Sequence, residues 1–435
     1  MTGSAGRGQQ GSAAVTARVV ARRVLDRVDK GGAWATPALD GELARAGLDE
    51  RDRRLAAELV YGVLRHRMRI DRALAAHAEL KRTPPRVVTA LRVAAYQLLL
   101  LDRVPGYAAV DDAVTAARAV GGAKLAGFCN AVLRKLAAAG EPALPEDPRA
   151  RLEVAHSLPR WIADELVAGS GAERLGELAA AFGEAAPLVA RANRRRTTRE
   201  ALIAELTAAG VTARPVDAAA MAIALDGVGD PSRSASFRDG RWTVQDPGAQ
   251  RVAELAAPRA GQRILDACAG VGGKSTHLAE LCDDAADIDA ADQLATKLEL
   301  ADAAARRLGA TRIRPVVCDL LDPAAPLAAA YDLIVLDAPC TGLGVLRRHP
   351  DAKWRLQPGD VPRLAELQRR LLDAVVARLA PGGALVYSVC TFTRAEGPEQ
   401  IAALVARSGL RLVHEERTWP PACDAFYLAR LERAA

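Results

Sequence analysis

Two cysteines near the carboxyl end of the chain each follow a short apolar segment that is typical of a buried β-strand. Cys340 lies in the segment 336–342, which reads LDAPCTG, and Cys390 lies in the segment 387–391, which reads YSVCT. A single cysteine after a strand is more often a packing residue than a reactive one. Two of them after neighbouring strands, one of them preceded by Asp337 and a proline, favour a catalytic pair.

A thiol pair beside an aspartate suits the transfer of a methyl group to C5 of cytosine. This carbon is too weak a nucleophile to attack a methylsulfonium group, but addition of a thiolate to C6 gives an enamine in which C5 is nucleophilic. Asp337, protonated or hydrogen-bonded to the N3 and amino edge of the base, would support the shift of charge. A second thiol could assist when the C5 proton leaves and the sulfur–C6 bond breaks.

A glycine-rich segment, 264–276, reads ILDACAGVGGKST and joins an apolar strand to a helix. Its glycines at 270, 272 and 273 allow a tight turn close to a ligand, and the helix start offers free N–H groups to an anion. The letters GKS also match the end of a nucleotide phosphate-binding loop, with 333–337 as its second motif. That loop requires glycine at position 268, where this chain has Cys268. On this segment alone, the methyl-donor and nucleotide-phosphate interpretations are close.

Aspartates at the ends of two further predicted strands favour a methyl-donor cofactor. Asp292 follows the glycines by about 20 residues, where an acid accepts hydrogen bonds from ribose hydroxyls. Asp319 ends the next predicted strand and could contact an adenine amino group. Each of them is also suited to cap a helix or a turn, and for Asp292 that alternative has equal weight when it is viewed alone. The cation Lys274 and nearby helix termini would lower the pKa of a thiol.

The elements that must position these side chains alternate between strand and helix after residue 247. Alternation of this kind predicts a parallel, doubly wound sheet with its ligands beyond the carboxyl ends of the strands. Both cysteines, Asp337 and the glycine-rich turn are therefore expected at one edge of the sheet. The predicted strands are Arg263–Asp266, Ile288–Asp292, Ile313–Val317, Leu333–Leu336 and Ala384–Ser388, with helices such as Ser275–Leu281 and Leu294–Leu308 between them.

The chain before this region divides by pattern into several parts. Helical spacing predicts an all-α domain, 13–140, in which Gly121 and Gly122 break the pattern between two helices. Three prolines among charges predict a linker, 141–156. A mixture of helices and short strands predicts a small α+β module, 157–240, before the catalytic domain, 241–435. Residues 1–12 are predicted to be a disordered tail.

Composition and charge restrict the class of protein. Among 435 residues the net charge is +6, but residues 1–140 hold 23 Lys and Arg against 13 Asp and Glu. A basic amino-terminal third fits a polyanion such as RNA, and it fits a solvated helical surface equally well. No apolar run predicts a transmembrane helix or a secretory signal, so a cytoplasmic location is expected. Seven cysteines without a CxxC pair, and six histidines without metal-ligand spacing, argue against disulfides and a zinc site.

The chain resembles the RNA cytosine-5 methyltransferases of the NOL1/NOP2/Sun family over nearly its whole length. The matching segments are 91–99 (LRVAAYQLL), 110–114 (VDDAV) and 127–134 (GFCNAVLR) in the helical domain, and 337–351 (DAPCTGLGVLRRHPD) in the catalytic domain. The resemblance implies an all-α NusB-like domain that binds RNA, followed by an α/β Rossmann-like methyltransferase domain. It also implies S-adenosylmethionine as cofactor and small-subunit (16S) ribosomal RNA as partner. A monomer without a metal is expected.

The family's site residues transfer to matching positions in this chain. Cys390 takes the part of the nucleophile, Cys340 assists product release, and Asp337 belongs to both the catalytic and the cofactor site. The cofactor pocket is expected to include Cys268, Ala269, Gly270, Val271, Gly272, Gly273, Lys274, Asp292, Asp319 and Asp337. The family usually has Ala-Pro where this chain has Gly270 and Val271, which adds flexibility and could weaken cofactor binding. Asp287 and Asp289 replace apolar strand residues of the family.

Two alternative functions remain on the sequence alone. A phosphate-loop NTPase would use the glycine-rich segment, but it has no need for two cysteines after strands. A non-catalytic RNA-binding protein with a decayed methyltransferase fold is supported only by the altered glycine loop. Retention of Cys340 and Cys390 weighs against both.

Overall fold

The computed structural model describes residues 15–102 and 104–435, so the predicted tail, 1–12, lies outside the described residues. The chain forms two compact units. The first consists of the chain up to Leu158 together with His349–Arg355, and the second consists of Pro159–Arg348 together with Leu356–Ala435. A helical first unit and an α/β second unit confirm the predicted fold class.

The first unit is built from helices around one apolar core. Helix α5 lies at its centre, because its side chains from Val87 to Gln97 are buried on most sides, whereas α1 buries only one stripe that includes Val20 and Val24. Such a stripe is what period-3.6 spacing predicts. The helices are α1 (Ala17–Gly31), α2 (Ala35–Ala46), α3 (Glu50–Arg65), α4 (Arg67–Ala75), α5 (Pro85–Leu100), α6 (Gly106–Ala139) and α7 (Pro148–Ala155).

Two glycines and a proline determine where helices of this unit break and begin. Gly121 and Gly122 have non-helical backbone inside α6, as their pairing predicted, and Gly122 has a φ of +68°. The predicted linker, 141–156, contains α7, which is a correction. Pro148 stands in the first turn of α7, where its missing N–H costs nothing, and the side chain of Asp147 accepts from the Ala150 amide at 2.7 Å. This proline starts a helix rather than excluding one.

The segment 349–355, although distant in sequence, supplies hydrogen-bond partners to backbone groups at helix ends of the first unit. Asp351 accepts a hydrogen bond from the amide of Ala35 at the start of α2 (2.9 Å). The side-chain nitrogen of Lys353 donates to the carbonyl of Arg65, and the indole of Trp354 donates to that of Leu64, at the end of α3. Burial lowers the pKa of Lys353 to about 7, so its part here is that of a hydrogen-bond donor. The segment thus supplies an acceptor at a helix start and donors at a helix end, where backbone groups lack partners within the helix.

The second unit begins with a small module built on a four-stranded antiparallel sheet of order β2-β3-β1-β4. Strand β4 pairs with β1 through the partners Arg191 and Thr243, so the predicted module boundary at residue 240 lies inside the sheet. A strand of three residues is too short to show alternation in sequence. The elements are α8 (Arg160–Ser170), α9 (Leu175–Gly183), β1 (Leu188–Ala192), α10 (Arg199–Ala208), β2 (Thr212–Pro215), β3 (Ala222–Asp226), α11 (Ala235–Arg238) and β4 (Trp242–Val244).

The rest of the second unit is a seven-stranded sheet of order β10-β11-β9-β8-β5-β6-β7 with helices packed against it. Five strands are parallel, as predicted, and β10 and β11 add an antiparallel edge that was not predicted. The elements are α12 (Pro247–Ala256), β5 (Arg263–Ala267), α13 (Gly273–Leu281), β6 (Asp287–Asp292), α14 (Ala295–Leu308), β7 (Ile313–Val317), β8 (Tyr331–Asp337), α15 (Ala352–Arg355, in the first unit), α16 (Asp360–Val376), β9 (Leu379–Val389), α17 (Pro398–Ser408), β10 (Arg411–Arg417) and β11 (Tyr427–Glu432).

The acidic residues of β6, unusual in a central strand, are paired across to β7. Arg314 donates two hydrogen bonds, of 2.7 and 2.8 Å, to the carboxylate of Asp289, and Tyr331 donates to the same carboxylate. Arg312 pairs with Asp287 through two nitrogens that donate to the same carboxylate oxygen, at 3.1 and 2.7 Å. Burial opposes ionisation of Asp289, but the hydrogen bonds from Arg314 and Tyr331 outweigh it and lower its pKa. Within the described residues, no helix is long and apolar enough to cross a membrane.

We expect Asp351→Ala to lower the free energy of unfolding of the first unit by about 1–2 kcal/mol, because the start of α2 loses its carboxylate acceptor. Hydrogen exchange of the α2 amides and the midpoint of guanidinium denaturation measure the effect. Asp40→Ala, which removes an exposed carboxylate from the same helix, is the matched control and should change stability by less than about 0.5 kcal/mol. Equal effects of the two variants would contradict the capping role.

Candidate active site

The parallel pairing of β8 with β9 brings the two cysteine segments together. Asp337, the last residue of β8, is in register with Ser388 of β9, and the Ala338 amide donates to the Ser388 carbonyl at 3.0 Å. Cys340 and Cys390 therefore follow adjacent strands at the same edge of the sheet. The Gly344 amide donates to the carbonyl of Cys390 at 2.9 Å and holds the two loops against each other.

The two thiols are in direct contact, with 3.4 Å between the Sγ atoms of Cys340 and Cys390. Their hydrogen bond, together with burial, raises the pKa of the Cys340 thiol well above its ordinary value. The raised pKa favours the protonated form of Cys340, and either sulfur can be the donor in this contact. The predicted pair is brought together by the fold, and the two sulfurs are not equivalent.

Asp337 and Lys274 form an ion pair beside the thiols. The Lys274 ammonium lies 2.5 Å from one carboxylate oxygen of Asp337, and the hydroxyl of Ser388 donates to the other at 2.8 Å. Burial lowers the pKa of Lys274, but the charge of Asp337 outweighs burial, and the pKa is raised. Lys274 is therefore a cation close enough to Cys390 to interact with it electrostatically. Paired in this way, Asp337 is a carboxylate and an acceptor of hydrogen bonds.

The glycine-rich turn between β5 and α13 adopts the backbone that its composition predicted. Gly270 and Gly272 have φ values of +57° and +78°, and Cys268 itself has a φ of +65°. A Cβ at Gly272 would lie 2.7 Å from the Cβ of Ala301, so only glycine fits there. A Cβ at Gly270 would meet no atom within 4 Å, so the tip of the turn borders open space.

The aspartates predicted for the cofactor pocket differ in their contacts. Asp292, at the end of β6, accepts from the Gly270 amide at 3.0 Å and from the Leu294 amide at 2.9 Å. It therefore lies against the glycine-rich turn and also acts as a turn residue, which was the alternative. Asp319 accepts from the Leu321 amide at 2.9 Å, two residues along its own loop. A contact of either residue with a cofactor stays a prediction.

A buried carboxylate under the turn fits a ligand with a donor group. Asp266, on β5, is fully buried and is hydrogen-bonded through one oxygen to the hydroxyl of Ser275. Its other oxygen, Oδ1, has no partner in the described part of the protein. Together with the open space at Gly270 and the acceptor Asp292, this leaves acceptor groups and room around the turn, as an S-adenosyl group requires. Within residues 15–102 and 104–435, no group of His, Cys, Asp and Glu could hold a metal ion.

The start of α13, and with it Lys274, is held from the small module. Arg191 of β1 is fully buried, pairs with Glu280 of α13 through two hydrogen bonds, and donates to the carbonyl of Gly273 at 3.0 Å. Because its guanidinium bonds α13 at two points more than a turn apart, it fixes that helix against β1. This buried ion pair was not predicted from the sequence, where Arg191 is one arginine among many in the module.

Glu396, which lies in the loop after Cys390, was likewise not predicted from the sequence. Its carboxylate is fully buried and accepts hydrogen bonds from residues that follow both cysteines, Thr341 and Thr391. A glutamate in a polar loop looks like any solvated acid in sequence. The available signal was that each cysteine is followed directly by a threonine, a repeat that indicates a shared acceptor for the two hydroxyls.

Comparison with known families places each part of the chain. The model described as 16S rRNA methyltransferase RsmB/F matches residues 253–431. The NusB family matches residues 15–138, and the ferredoxin-like domain of RsmF/B-like methyltransferases matches residues 158–230.

Individual relatives match over most of their length. The chain is 33% identical over 393 residues to a probable ribosomal RNA small subunit methyltransferase B of Synechocystis sp., with 89% of this chain and 88% of that protein covered. It is 34% identical over 449 residues to the ribosomal RNA small subunit methyltransferase B of Pseudomonas putida, with 96% and 98% covered.

Two solved structures with the same fold are that of PH0851 and that of NSun6 from Pyrococcus horikoshii. PH0851 superposes with a TM-score of 0.81 at 21% identity, covering 97% of this chain and 100% of that one. NSun6, crystallised with SFG, superposes with a TM-score of 0.58 at 20% identity, covering 64% and 98%. At these identities the likeness is one of fold alone.

We expect wild-type protein to lose stability relative to Asp266→Asn as the pH rises from about 4 to above 6. Burial raises the pKa of Asp266 from 3.8 to about 6, so ionisation is easier in the unfolded chain and costs the folded state on the order of 3 kcal/mol at neutral pH. Denaturation midpoints of both proteins at several pH values measure the difference. Asp302→Asn, an exposed site on α14, is the control. Parallel curves for wild type and Asp266→Asn would contradict the assignment.

Proposed function

The chain belongs to the RsmB/F family of 16S rRNA methyltransferases, and from that premise we propose that it methylates C5 of a cytosine with Cys390 as the nucleophile. The predicted methyltransferase activity on ribosomal RNA is confirmed at the level of the family. The alternatives of a phosphate-loop NTPase and of a non-catalytic RNA-binding protein are therefore wrong.

The observation that carries the proposal is the contact of two unequal thiols beside an ion pair. Methylation at a nitrogen or oxygen of a base needs no covalent nucleophile, whereas C5 of cytosine must first be activated by addition at C6. Cys340 keeps its proton and hydrogen-bonds to Cys390, and the cation Lys274 lies near Cys390. A cation and an S–H donor are the neighbours that an attacking thiolate requires, which favours Cys390 as the nucleophile.

In the first stage, the thiolate of Cys390 forms a bond to C6, and the electron pair of the C5–C6 double bond shifts onto C5 and by conjugation through C4 onto N3, which gives the enamine. Asp337, held by Lys274 and Ser388, is a fixed acceptor for the exocyclic amino group and orients the ring. This is a narrower role than the protonated or hydrogen-bonded one predicted from sequence, because the ion pair favours the carboxylate. C5 then carries the electron density that takes up the methyl group.

In the second stage, the C5 proton leaves to solvent, the C5–C6 double bond re-forms and the bond from C6 to sulfur breaks. The electron pair of that bond returns to Cys390, which leaves as a thiolate. The Sγ atom of Cys340 lies 3.4 Å from that sulfur, and its S–H group donates a hydrogen bond to the departing thiolate. This is the physical basis that we propose for its predicted role in product release.

S-adenosylmethionine would supply the methyl group when bound. We propose that the turn Cys268–Lys274 holds it, with Asp292 and Asp319 at the adjacent strand ends. Acceptor atoms and open space around the turn support this site. Gly270 and Val271 replace the usual Ala-Pro of the family, and the hydrogen bond from Gly270 to Asp292 supplies part of the rigidity that a proline would give.

We propose that the substrate is small-subunit ribosomal RNA bound in part by the helical first unit. The excess of Lys and Arg in residues 1–140 supports electrostatic binding to phosphates. The match of residues 15–138 to the NusB family agrees with the expected fold of this unit. We propose a monomer as the acting form.

We expect wild-type protein to form a stable covalent complex with RNA that carries 5-fluorocytidine, because fluorine at C5 cannot leave as a proton. Cys390→Ala should form none, since no sulfur remains to add to C6. Cys340→Ala should accumulate an adduct on ordinary RNA and slow turnover by roughly 100-fold or more. Denaturing gel shifts and single-turnover kinetics measure both, with Cys282→Ala as the control for loss of a buried thiol. An adduct in Cys390→Ala would transfer the role to another group.

We also expect one or more 5-methylcytosines of 16S rRNA to disappear when the gene is deleted. The mark should return on complementation with wild type and stay absent with Cys390→Ala, because that variant cannot activate C5. Bisulfite sequencing of rRNA from the three strains identifies the position. An unchanged map would contradict the proposed substrate.

A further inference from the structure

Glu396 is a buried carboxylate with five hydrogen-bond donors around it. It is 0% exposed, and within the described residues no Lys or Arg forms an ion pair with it. Its donors are the Thr341 amide (2.8 Å), the Thr341 hydroxyl (2.6 Å), the Thr393 hydroxyl (2.8 Å), the Gln368 side-chain amide (3.1 Å) and the Thr391 hydroxyl (3.4 Å). All five donate to its two oxygens, as they would to a carboxylate, which can only accept.

These donors tie the two cysteine loops to one point. Thr341 follows Cys340 directly, Thr391 follows Cys390 directly, and the two hydroxyls are 3.0 Å apart. Both oxygens of Glu396 are used, one by the amide of Thr341 and the other by hydroxyls from both loops. The thiol separation of 3.4 Å is thus set by backbone pairing and by this carboxylate together.

A third element completes the cluster. Gln368 of α16 donates through its side-chain amide to the carbonyl of Pro339 at 2.9 Å as well as to Glu396. Tyr387 of β9 donates to the backbone carbonyl of Glu396 at 2.7 Å. Helix α16, strand β9 and both loops are therefore fixed around Cys340, which directly precedes Thr341 in the chain.

The charge of Glu396 acts on Cys340. The titratable and charged groups that face this thiol are Cys390, Glu396, Asp337 and Tyr387. Glu396 and Asp337 both raise the pKa of Cys340, after the larger effects of the Cys390 hydrogen bond and of burial. Lys274 faces Asp337 and Cys390 instead. Burying a carboxylate without a cation is costly, and an amide could have made most of the same contacts. We therefore infer that the negative charge itself contributes to the site.

We propose that Glu396 is a positioning residue for product release, which locks the loops of Cys340 and Cys390 together and keeps on Cys340 the proton that stabilises the departing Cys390 sulfur. The proposal rests on the function proposed above. Glu396 touches no reacting atom, and it acts through Thr341, Thr391 and its charge.

The first experiment needs no substrate and compares Glu396→Gln with wild type by iodoacetamide alkylation of the free protein across a pH series. Peptide mapping separates modification of Cys340 from that of Cys390. The glutamine is isosteric, and the threonine hydroxyls can turn to accept from its amide. Loss of the charge should lower the pKa of Cys340 and speed its alkylation by about tenfold at fixed pH. Glu399→Gln, an exposed glutamate three residues along, is the matched control and should match wild type.

The second experiment measures the partition between covalent RNA adduct and methylated product. Glu396→Gln should accumulate adduct, as Cys340→Ala is expected to do, with the KM for RNA unchanged. Thr393→Val, which removes one donor and keeps the charge, should give intermediate accumulation with wild-type alkylation of Cys340, and it provides the test if Glu396→Gln does not fold.

The outcomes separate this inference from the proposed function. Unchanged alkylation of Cys340 in folded Glu396→Gln would overturn the role of the charge. Faster alkylation with normal release, or wild-type release in Thr393→Val, would overturn the positioning role. If wild-type protein forms no adduct with any RNA, the proposed function fails, and the alkylation result still decides whether Glu396 controls the proton on Cys340.

Discussion

The site depends on the parallel hydrogen bonding of two neighbouring strands, β8 and β9. Their register sets Asp337 against Ser388, and three residues after Asp337 and two after Ser388 the chain places a thiol. A slip of one residue in this pairing would turn the side chains of one strand to the other face of the sheet. The contact between Cys340 and Cys390, the hydrogen bond of Ser388 to Asp337 and the reach of Lys274 to the same carboxylate would all be lost together. The fold therefore specifies the chemistry through backbone pairing first and through side chains second.

Buried charges then fix what the backbone brings together. Lys274 is the one charged residue of the segment 268–274, and it lies in the first turn of α13. This helix is held by the buried pair of Arg191 and Glu280. Such pairs contribute little net stability, because the cost of removing both charges from water offsets their attraction. Their contribution is to fix orientation, since the guanidinium group donates hydrogen bonds only in its own plane. The small module thus contributes to the site by holding the helix that carries Lys274.

The sequence predicted those parts of the fold whose signal is local. Apolar runs marked the five parallel strands, and glycines marked the turn after β5, because burial and positive φ restrict residue type at each position. Strand β10 was missed because residues at this sheet edge, such as His414 and Glu415, are exposed and polar, and β11 was missed although most of its residues are buried. Asp289 looked anomalous because its partner Arg314 is contributed by the next strand. Glu396 and Arg191 were missed for the same reason, since their burial is produced by contacts that only the tertiary structure creates.

Two thiols of the same chemical type can divide the work only if their surroundings differ. Cys390 interacts electrostatically with the ammonium group of Lys274 and is in contact with the thiol of Cys340, and both neighbours suit a sulfur that attacks as a thiolate. Cys340 faces the carboxylates of Asp337 and Glu396, and both oppose negative charge on its own sulfur. In the mechanism that we propose, this hydrogen bond runs from Cys340 to Cys390 both before attack and at departure. Position in the sequence does not distinguish the two residues, since each follows a strand and precedes a threonine. The distinction comes from the charges that the fold gathers around each of them.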